Sequence, residues 1–332
     1  MAENHQKEPL FSVRNLVVDY HSGDSIVHAV NGVSFDLAPG ETLGLVGETG
    51  AGKTTIAKAS LRILPEYSVE RIEGEVFYDG KDVLKMNDHE LRKLRGEHIS
   101  MIFQDPMTAL NPVKTVISQI AEGYKTHHNC SKAEANQVAI KMLEMVGIGA
   151  DRAEEFPHQF SGGMKQRVVI ALALACSPKV LIADEPTTAL DVTIQAQVLD
   201  LIKSLRDELG TAMVLITHDL GIVAEVCDKV AVIYAGRIVE SGTKEDIFDH
   251  PTHPYTKGLF AALPDLQKKV RRLSPSEGLP PDPCEERRCC DFYDRCPYKC
   301  GHCKSYDHTK AIEVSPGHFS RCWRTDATKE GE

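Results

Sequence analysis

The sequence predicts an α/β fold built on a mostly parallel sheet that is covered by helices. Short apolar segments alternate with helical patterns between residues 180 and 234, and this alternation is typical of parallel strands joined by crossover helices. A long helical stretch at about residues 106–176 interrupts the series, and β segments precede it. We therefore expect a sheet domain with an N-terminal β region and a separate helical segment.

The individual elements follow from hydrophobic periodicity. The β segments expected before the helical stretch are 11–20, 27–37, 42–46, 74–78 and 98–103, and the helices expected among them are 55–64 and 88–95. Within the stretch, residues 132–145 carry apolar side chains at a spacing of three to four, the period of an amphipathic helix. After it, the expected strands are 180–183, 213–217 and 230–234, and the expected helices are 195–209 and 220–226. The pattern has no internal repeat, so one copy of the domain is expected.

The composition is typical of a globular enzyme subunit. The 332 residues are 42% hydrophobic and 26% charged, which suffices for a main domain, an insertion and an appendix. No apolar run reaches the roughly 18 residues of a membrane span, and residues 1–8 lack the basic start and apolar core of a signal peptide. We therefore expect the chain in the cytoplasm. A formal net charge of −10 argues against a nucleic-acid-binding surface.

Residues 47–54 match the pattern GxxxxGK[ST], which is typical of a loop that binds the phosphates of a nucleoside triphosphate. Glycines let backbone N–H groups turn inward around the phosphates, Lys53 supplies a positive charge, and the Thr54 hydroxyl can ligate Mg²⁺. A predicted strand precedes the loop and a predicted helix follows it, as the motif requires. A chance glycine loop is the alternative. The predicted phosphate-binding residues are Gly47, Glu48, Thr49, Gly50, Ala51, Gly52, Lys53, Thr54 and Thr55.

A second motif ends the predicted strand at 180–183, which is followed by two carboxylates, Asp184 and Glu185. This arrangement suits a metal-binding aspartate followed by a glutamate that activates water. Between this motif and the phosphate loop, residues 160–167 read Phe-Ser-Gly-Gly-Met-Lys-Gln-Arg. They closely resemble the signature sequence of ATP-binding cassette (ABC) ATPases. Taken alone, the segment could also be a helix capped by Ser161.

Further motifs of the same family occur in the expected order. Gln104 matches the glutamine of the Q-loop, residues 188–191 match the D-loop, and His218 matches the switch histidine. Tyr20 stands where the family places an aromatic side chain that stacks on adenine. Taken singly, Tyr20 could be a half-buried strand residue, His218 a helix cap and Asp191 a helix N-cap.

The resemblance covers roughly residues 9–260 and implies an ABC nucleotide-binding domain over residues 1–260. This domain would combine a P-loop, a mostly parallel core sheet, an antiparallel β subdomain and an α-helical subdomain inserted at about 106–176. In this family two subunits sandwich ATP, because a signature motif lies too far from the nucleotide of its own subunit.

Roles for individual residues follow from the same resemblance. The residues implied to reach the ATP of the partner subunit are Ser161, Gly162 and Gly163. The residues implied for catalysis are Glu185 as general base, His218 at the γ-phosphate, and Gln104, which also couples the nucleotide to membrane subunits. The implied Mg²⁺ ligands are Thr54, Gln104 and Asp184.

The C-terminal part narrows the resemblance further. Residues 253–259 read HPYTKGL, and a Pro- and Ser-rich linker at 274–281 and a Cys-rich appendix follow, as in the ATPase subunits of dipeptide and oligopeptide importers. Met164, where other cassettes have glutamine, resembles the D-type member of their paired D and F subunits. The implied function is an ATP-hydrolysing motor for peptide uptake. The alternatives are the same role in nickel, glutathione or oligosaccharide uptake, or a non-transport ABC ATPase.

The implied partners are an F-type ATPase subunit, two membrane permease subunits and, indirectly, an extracellular solute-binding protein. The chain would then lie peripherally at the cytoplasmic face of the inner membrane.

Seven of the ten cysteines lie between Cys284 and Cys322, in the predicted extension at 261–332. A cytoplasmic chain does not need disulfides there, so metal binding is favoured. Four of the seven match the spacing of a family appendix that holds a [4Fe–4S] cluster, and four thiolates also suit zinc. The expected ligands are Cys290, Cys296, Cys303 and Cys322, whereas Cys284, Cys289 and Cys300 depart from that set.

Overall fold

The computed structural model describes residues 8–188, 191–262, 278–285 and 289–325. They form two compact units. We call residues 8–11, 37–42 and 85–216 the helical unit, and residues 12–36, 43–84 and the described residues from 217 onward the phosphate-loop unit. Part of the predicted linker, 274–277, and two residues of the predicted D-loop, Ala189 and Leu190, lie outside the described residues. Along the part of the chain that is described, no helix is long and apolar enough to cross a membrane.

The order of elements alternates as expected, with small differences at their ends. The strands are β1 (Phe11–Ser22), β2 (Ser25–Leu37), β3 (Thr42–Val46), β4 (Val69–Tyr78), β5 (Lys81–Asp82), β6 (Ile99–Ile102), β7 (Val180–Asp184), β8 (Ala212–Thr217), β9 (Lys229–Tyr234), β10 (Arg237–Thr243), β11 (Ile312–Ser315) and β12 (His318–Ser320). The helices are α1 (Lys53–Ser60), α2 (Asp88–Glu97), α3 (Pro106–Ala109), α4 (Val116–His127), α5 (Lys132–Met145), α6 (Gly162–Leu174), α7 (Val192–Leu209), α8 (Leu220–Val226), α9 (Lys244–Asp249), α10 (Pro254–Ala261) and α11 (His302–Ser305). The largest shifts are at β4, which begins at Val69 rather than residue 74, and α1, which ends at Ser60 rather than residue 64.

One sheet of the phosphate-loop unit has the strand order β2-β1-β4-β5, and β4 pairs with β5 in the antiparallel direction. Along β1 the side chains of Val13, Leu16 and Val18 are fully buried. Such β-branched and aliphatic residues suit a half-buried pleated surface.

The other sheet of this unit has the order β11-β12-β10-β9-β3. β3 is parallel to β9, and all five of its residues are buried, as is typical of a parallel strand covered on both faces. β10, β11 and β12 pair antiparallel and were not among the predicted strands. β12 is short and joins the sheet through a distant partner, with Ser320 opposite Glu240, so periodicity alone does not reveal it.

The helical unit contains three parallel strands, β6, β7 and β8. Ile102 lies opposite Ala183, and Asp184 lies opposite Ile216. This register places the carboxyl ends of the three strands side by side, and in α/β sheets that edge carries the ligand sites.

The predicted helical stretch at 106–176 contains α3 to α6. Helices α4, α5 and α6 pack on one another through fully buried side chains such as Ile120, Leu143 and Ile170. Ser131 begins α5 with a capping box, in which its hydroxyl accepts from the Glu134 backbone N–H and the Glu134 side chain accepts from Ser131. The boundaries of this segment as an inserted subdomain stay a prediction.

Candidate nucleotide-binding site

The phosphate loop joins β3 to α1, and two of its glycines are sterically required. Gly52 has φ +97°, and a Cβ there would lie 2.4 Å from the Ala29 carbonyl oxygen. A Cβ on Gly47 would lie 2.2 Å from the Ile233 carbonyl oxygen. Only glycine fits at either position, so the pattern read from the sequence corresponds to a tightly curled loop.

The Lys53 side chain connects two backbone carbonyl groups of the loop. Its side chain is 5% exposed, and Nζ donates to the carbonyl oxygens of Gly47 at 2.7 Å and Glu48 at 3.0 Å. Gly52, the N-cap of α1, has no side chain to cap the first amides, and the first turn contains no acidic residue. A fixed ammonium beside an open helix N-terminus is suited to bind an anion such as a phosphate.

Tyr20 lies beside the start of α1. Its hydroxyl donates to Thr55 Oγ1 at 3.3 Å, and burial raises the pKa of the phenol. The half-buried ring of Tyr20 agrees with the alternative of a half-buried strand residue, whereas adenine stacking stays a prediction.

Two residues that sequence reasoning did not assign to the site, Tyr255 and Arg295, contact Glu48, and Tyr234 contacts Arg295. The Tyr255 hydroxyl accepts from the Glu48 backbone N–H at 3.1 Å. The Arg295 guanidinium donates to both Glu48 carboxylate oxygens at 2.9 Å and to the Tyr234 hydroxyl at 3.2 Å. The HPY motif, which contains Tyr255, and the Arg-Cys-Pro sequence at 295–297 mark these residues in the sequence but do not show that they contact the loop.

In the helical unit, the structure brings two predicted catalytic residues together. The Gln104 amide donates to Glu185 Oε2 at 3.0 Å, and the Thr188 hydroxyl donates to the same oxygen at 2.8 Å. The Glu185 backbone has φ +47°, an unfavourable conformation for a non-glycine residue, and its N–H donates to the Ile216 carbonyl at 2.8 Å. Asp184, at the end of β7, is 1% exposed.

The signature segment begins α6 of the helical unit. Ser161 is its N-cap, with Oγ accepting from the Met164 N–H at 3.4 Å, so the capping alternative is confirmed. The two glycines differ: a Cβ on Gly163 would lie 2.6 Å from Ile194 Cγ2, whereas a Cβ on Gly162 would meet nothing within 4 Å. Packing therefore requires glycine at 163 but not at 162.

The remaining motif residues have distinct local roles. Asp191 caps α7, with Oδ1 accepting from the Ile194 N–H at 3.0 Å, which confirms its N-cap alternative. His218 is exposed, and Asp219 rather than His218 caps α8, so the helix-cap alternative for His218 is wrong.

The Cys-rich segment does not show the expected metal site. Cys303 and Cys322 are buried, and Cys290 and Cys296 are half-buried. Burial chiefly raises the pKa of the Cys290 thiol to about 12, and the Asp291 carboxylate and the thiols of Cys322 and Cys303 add to the shift. Within the described ranges no group of three or more His, Cys, Asp or Glu residues could hold a metal ion. Neither the expected [4Fe–4S] cluster nor the zinc alternative is supported by this arrangement.

The chain matches two family models. Residues 30–188 match the model described as ABC transporter, and residues 239–303 match the one described as oligopeptide/dipeptide transporter, C-terminal region. The first match contains the phosphate loop, Gln104, the signature segment and both carboxylates, and the second contains Tyr255 and Arg295.

Curated relatives align over nearly the whole chain. The dipeptide transport ATP-binding protein DppD of Bacillus subtilis is 47% identical, over 97% of this chain and 97% of its own. The oligopeptide transport ATP-binding protein OppD of Escherichia coli is 46% identical, over 96% of this chain and 94% of its own.

Solved structures agree with this relationship. The ATP-binding cassette MJ0796, solved as a dimer in a post-hydrolysis state bound to ADP and Pi, is 28% identical with a TM-score of 0.63, and the match covers 70% of this chain and 98% of that one. The chain therefore belongs to the ABC transporter family of ATP-binding proteins and is an ATPase of that fold.

Proposed function

We propose that this protein is the ATP-hydrolysing motor subunit of an importer for dipeptides or oligopeptides. The observation that carries the proposal is the Tyr255 contact with Glu48: a residue of the peptide-transporter C-terminal region holds the phosphate loop directly. This contact ties the part of the chain typical of peptide systems to the part that binds nucleotide.

The test of this function is reconstitution. The chain, an F-type ATPase subunit and two permease subunits in vesicles, with a solute-binding protein on the opposite side, should take up labelled di- and oligopeptides only when ATP is present. Preferential uptake of nickel, glutathione or an oligosaccharide would replace the peptide assignment. ATP hydrolysis that no solute stimulates would favour a non-transport ATPase.

ATP and Mg²⁺ are the ligands we propose for the phosphate loop. The curled loop and Lys53 fit a triphosphate, and Thr54, Gln104 and Asp184 offer the hard oxygen ligands that Mg²⁺ prefers. Bound Mg²⁺ would neutralise phosphate charge during hydrolysis. Tyr20 is proposed to stack on the adenine, and Thr49, Gly50 and Ala51 to contribute loop amides.

For catalysis we propose Glu185 as the general base, supported by its position at the end of a buried strand. Gln104 and Thr188 orient the carboxylate through their hydrogen bonds to one of its oxygens, and the carboxylate held in this way would accept the proton of the attacking water. His218, which is exposed, is proposed to contact the γ-phosphate.

We propose that the second half of each ATP site comes from a partner subunit of the F type. Gly162 supports this proposal, because the fold leaves open space where its side chain would be, which suits close approach of a ligand. Ser161, Gly162 and Gly163 would then contact the ATP of the partner. Docked on the permease subunits, the pair would lie at the cytoplasmic face of the inner membrane.

The Cys-rich extension at 261–332 is proposed to hold a [4Fe–4S] cluster through Cys290, Cys296, Cys303 and Cys322, with zinc as the alternative. Its support is the spacing of the four cysteines in the sequence. The sulfurs would have to approach one another and lose their protons, because metal-bound sulfur is a thiolate.

If the proposal holds, protein purified without oxygen should contain iron and acid-labile sulfide, measured by elemental and chemical analysis. Serine at any of the four positions should remove both, whereas Cys284→Ser, at an exposed thiol, should remove neither. Zinc without sulfide would favour the alternative, and absence of any metal would exclude both.

A further inference from the structure

Residues 290–296 contact the phosphate loop, and the main contact is an ion pair. Arg295 donates Nη1 to Glu48 Oε2 and Nη2 to Glu48 Oε1, both at 2.9 Å. The Arg295 side chain is 7% exposed and that of Glu48 is 31% exposed. Parallel guanidinium–carboxylate bonds of this kind are among the stronger and more directional side-chain contacts.

Aromatic packing holds residues 290–296 in this position. Phe292, 2% exposed, packs with ring centroids 5.3 Å from Tyr234 and 5.4 Å from Tyr255. The Arg295 guanidinium lies 5.6 Å from the Tyr234 ring centroid and 5.8 Å from that of Phe292. Because rings and guanidinium pack together, Arg295 is held in the geometry that reaches Glu48.

Glu48 connects these contacts to Lys53, the lysine of the loop. Its N–H is fixed by the Tyr255 hydroxyl, its carboxylate is fixed by Arg295, and its carbonyl oxygen accepts from Lys53 Nζ at 3.0 Å. A shift of Glu48 would therefore move one of the acceptors that position the Lys53 ammonium.

The charge of Glu48 gives Arg295 a second role. A partly exposed carboxylate in a loop that binds a triphosphate repels the phosphates. The guanidinium beside it cancels this charge.

We propose that Arg295 is a positioning residue of the nucleotide site, which through Glu48 fixes the phosphate loop and cancels the carboxylate charge beside the phosphates. The C-terminal segment thereby sets the affinity for ATP. This inference rests on the proposed function only in that the loop binds ATP.

A cycle of three variants of the full chain tests the inference with a fluorescent ATP analogue. Arg295→Gln should weaken binding by roughly threefold to tenfold, because Glu48 then keeps an uncompensated charge. Glu48→Gln removes the repulsive charge while its amide oxygen can still accept from Arg295, so its effect on affinity should be smaller than that of Arg295→Gln. The double variant, which lacks the uncompensated carboxylate, should recover part of the loss. Added salt should shrink the Arg295→Gln defect, because it screens the exposed carboxylate.

Arg237→Gln is the matched control. Arg237 pairs with Asp291 of the same segment, Nε to Oδ2 at 3.2 Å, and its Nη1 donates to the Asn31 carbonyl oxygen at 2.9 Å rather than to Glu48, so its loss should weaken ATP binding less than the loss of Arg295. Equal losses of ATP affinity in the two variants would show that binding depends only on the attachment of the segment to the fold. That result would overturn a positioning role for Arg295. A double variant as weak as Arg295→Gln, or Arg295→Gln binding unchanged, would also overturn the inference. If the unmodified chain bound no ATP, the proposed function would fail instead.

Discussion

Glu185→Gln is expected to lower ATP hydrolysis by at least ~10²-fold while ATP still binds. The glutamine oxygen can still accept from Gln104 and Thr188, which now lie 3.0 and 2.8 Å from Glu185 Oε2, so the local geometry survives. The negative charge that we propose takes a proton from water is lost. Phosphate release by the assembled transporter measures turnover, and equilibrium nucleotide binding measures the retained affinity.

Glu122→Gln is the control for this substitution. Glu122 is an exposed residue of α4 that pairs with Lys114, and its neutralisation should leave hydrolysis unchanged. Hydrolysis by Glu185→Gln close to that of the control would refute the role of general base, provided that the site of the partner subunit is inactivated in both assays.

The backbone conformation at Glu185 is a feature of the site that the sequence motif does not predict. The Asp-Glu pair after an apolar strand predicts two carboxylates at the end of β7, and the structure places them there. It does not predict φ +47° at Glu185, a conformation that costs roughly 1 kcal/mol or more for a residue with a side chain. The bonds to Gln104, Thr188 and the Ile216 carbonyl hold it.

Sequence reasoning succeeded where function depends on neighbours in the chain. The glycines of the phosphate loop, Lys53 and the helix that follows are specified within ten residues or so, and buried strands such as β3 and β7 are recognisable from their apolar runs. The helical stretch was recognisable for the same reason, because α5 has both its period and its capping box in the local sequence.

Contacts between distant residues were not predictable in this way. Glu48 and Arg295 are 247 positions apart, and either residue alone resembles an ordinary surface charge. Glu240 and His318 form another such pair, joined at 2.9 Å with both side chains buried. Glu240 also accepts from the Thr252 and His253 N–H groups. The pair thereby connects β10, the start of α10 and β12, which explains how a short strand such as β12 is retained in the sheet.

Lys53→Ala is expected to reduce ATP hydrolysis by roughly 10²-fold or more, because it removes a preorganised cation from the phosphoryl charge of the transition state. It should weaken ATP binding as well, since the loop carbonyls of Gly47 and Glu48 lose the ammonium that now donates hydrogen bonds to them. Binding of a fluorescent ATP analogue and phosphate release, measured on the same preparation, give the two effects separately.

Two comparison variants make this result specific. Lys58→Ala, in the last turn of the same helix, removes an equal charge away from the loop and should bind ATP nearly as the unmodified chain does. Gln104→Ala should reduce the stimulation of hydrolysis by transported solute more than it weakens ATP binding, because Gln104 contacts Glu185, the proposed general base. If Lys58→Ala lost as much affinity as Lys53→Ala, the effect would reflect the net charge of the helix. Since Lys53 alone of these two lysines donates to the carbonyl oxygens of the loop, the affinity should fall only when that contact is removed.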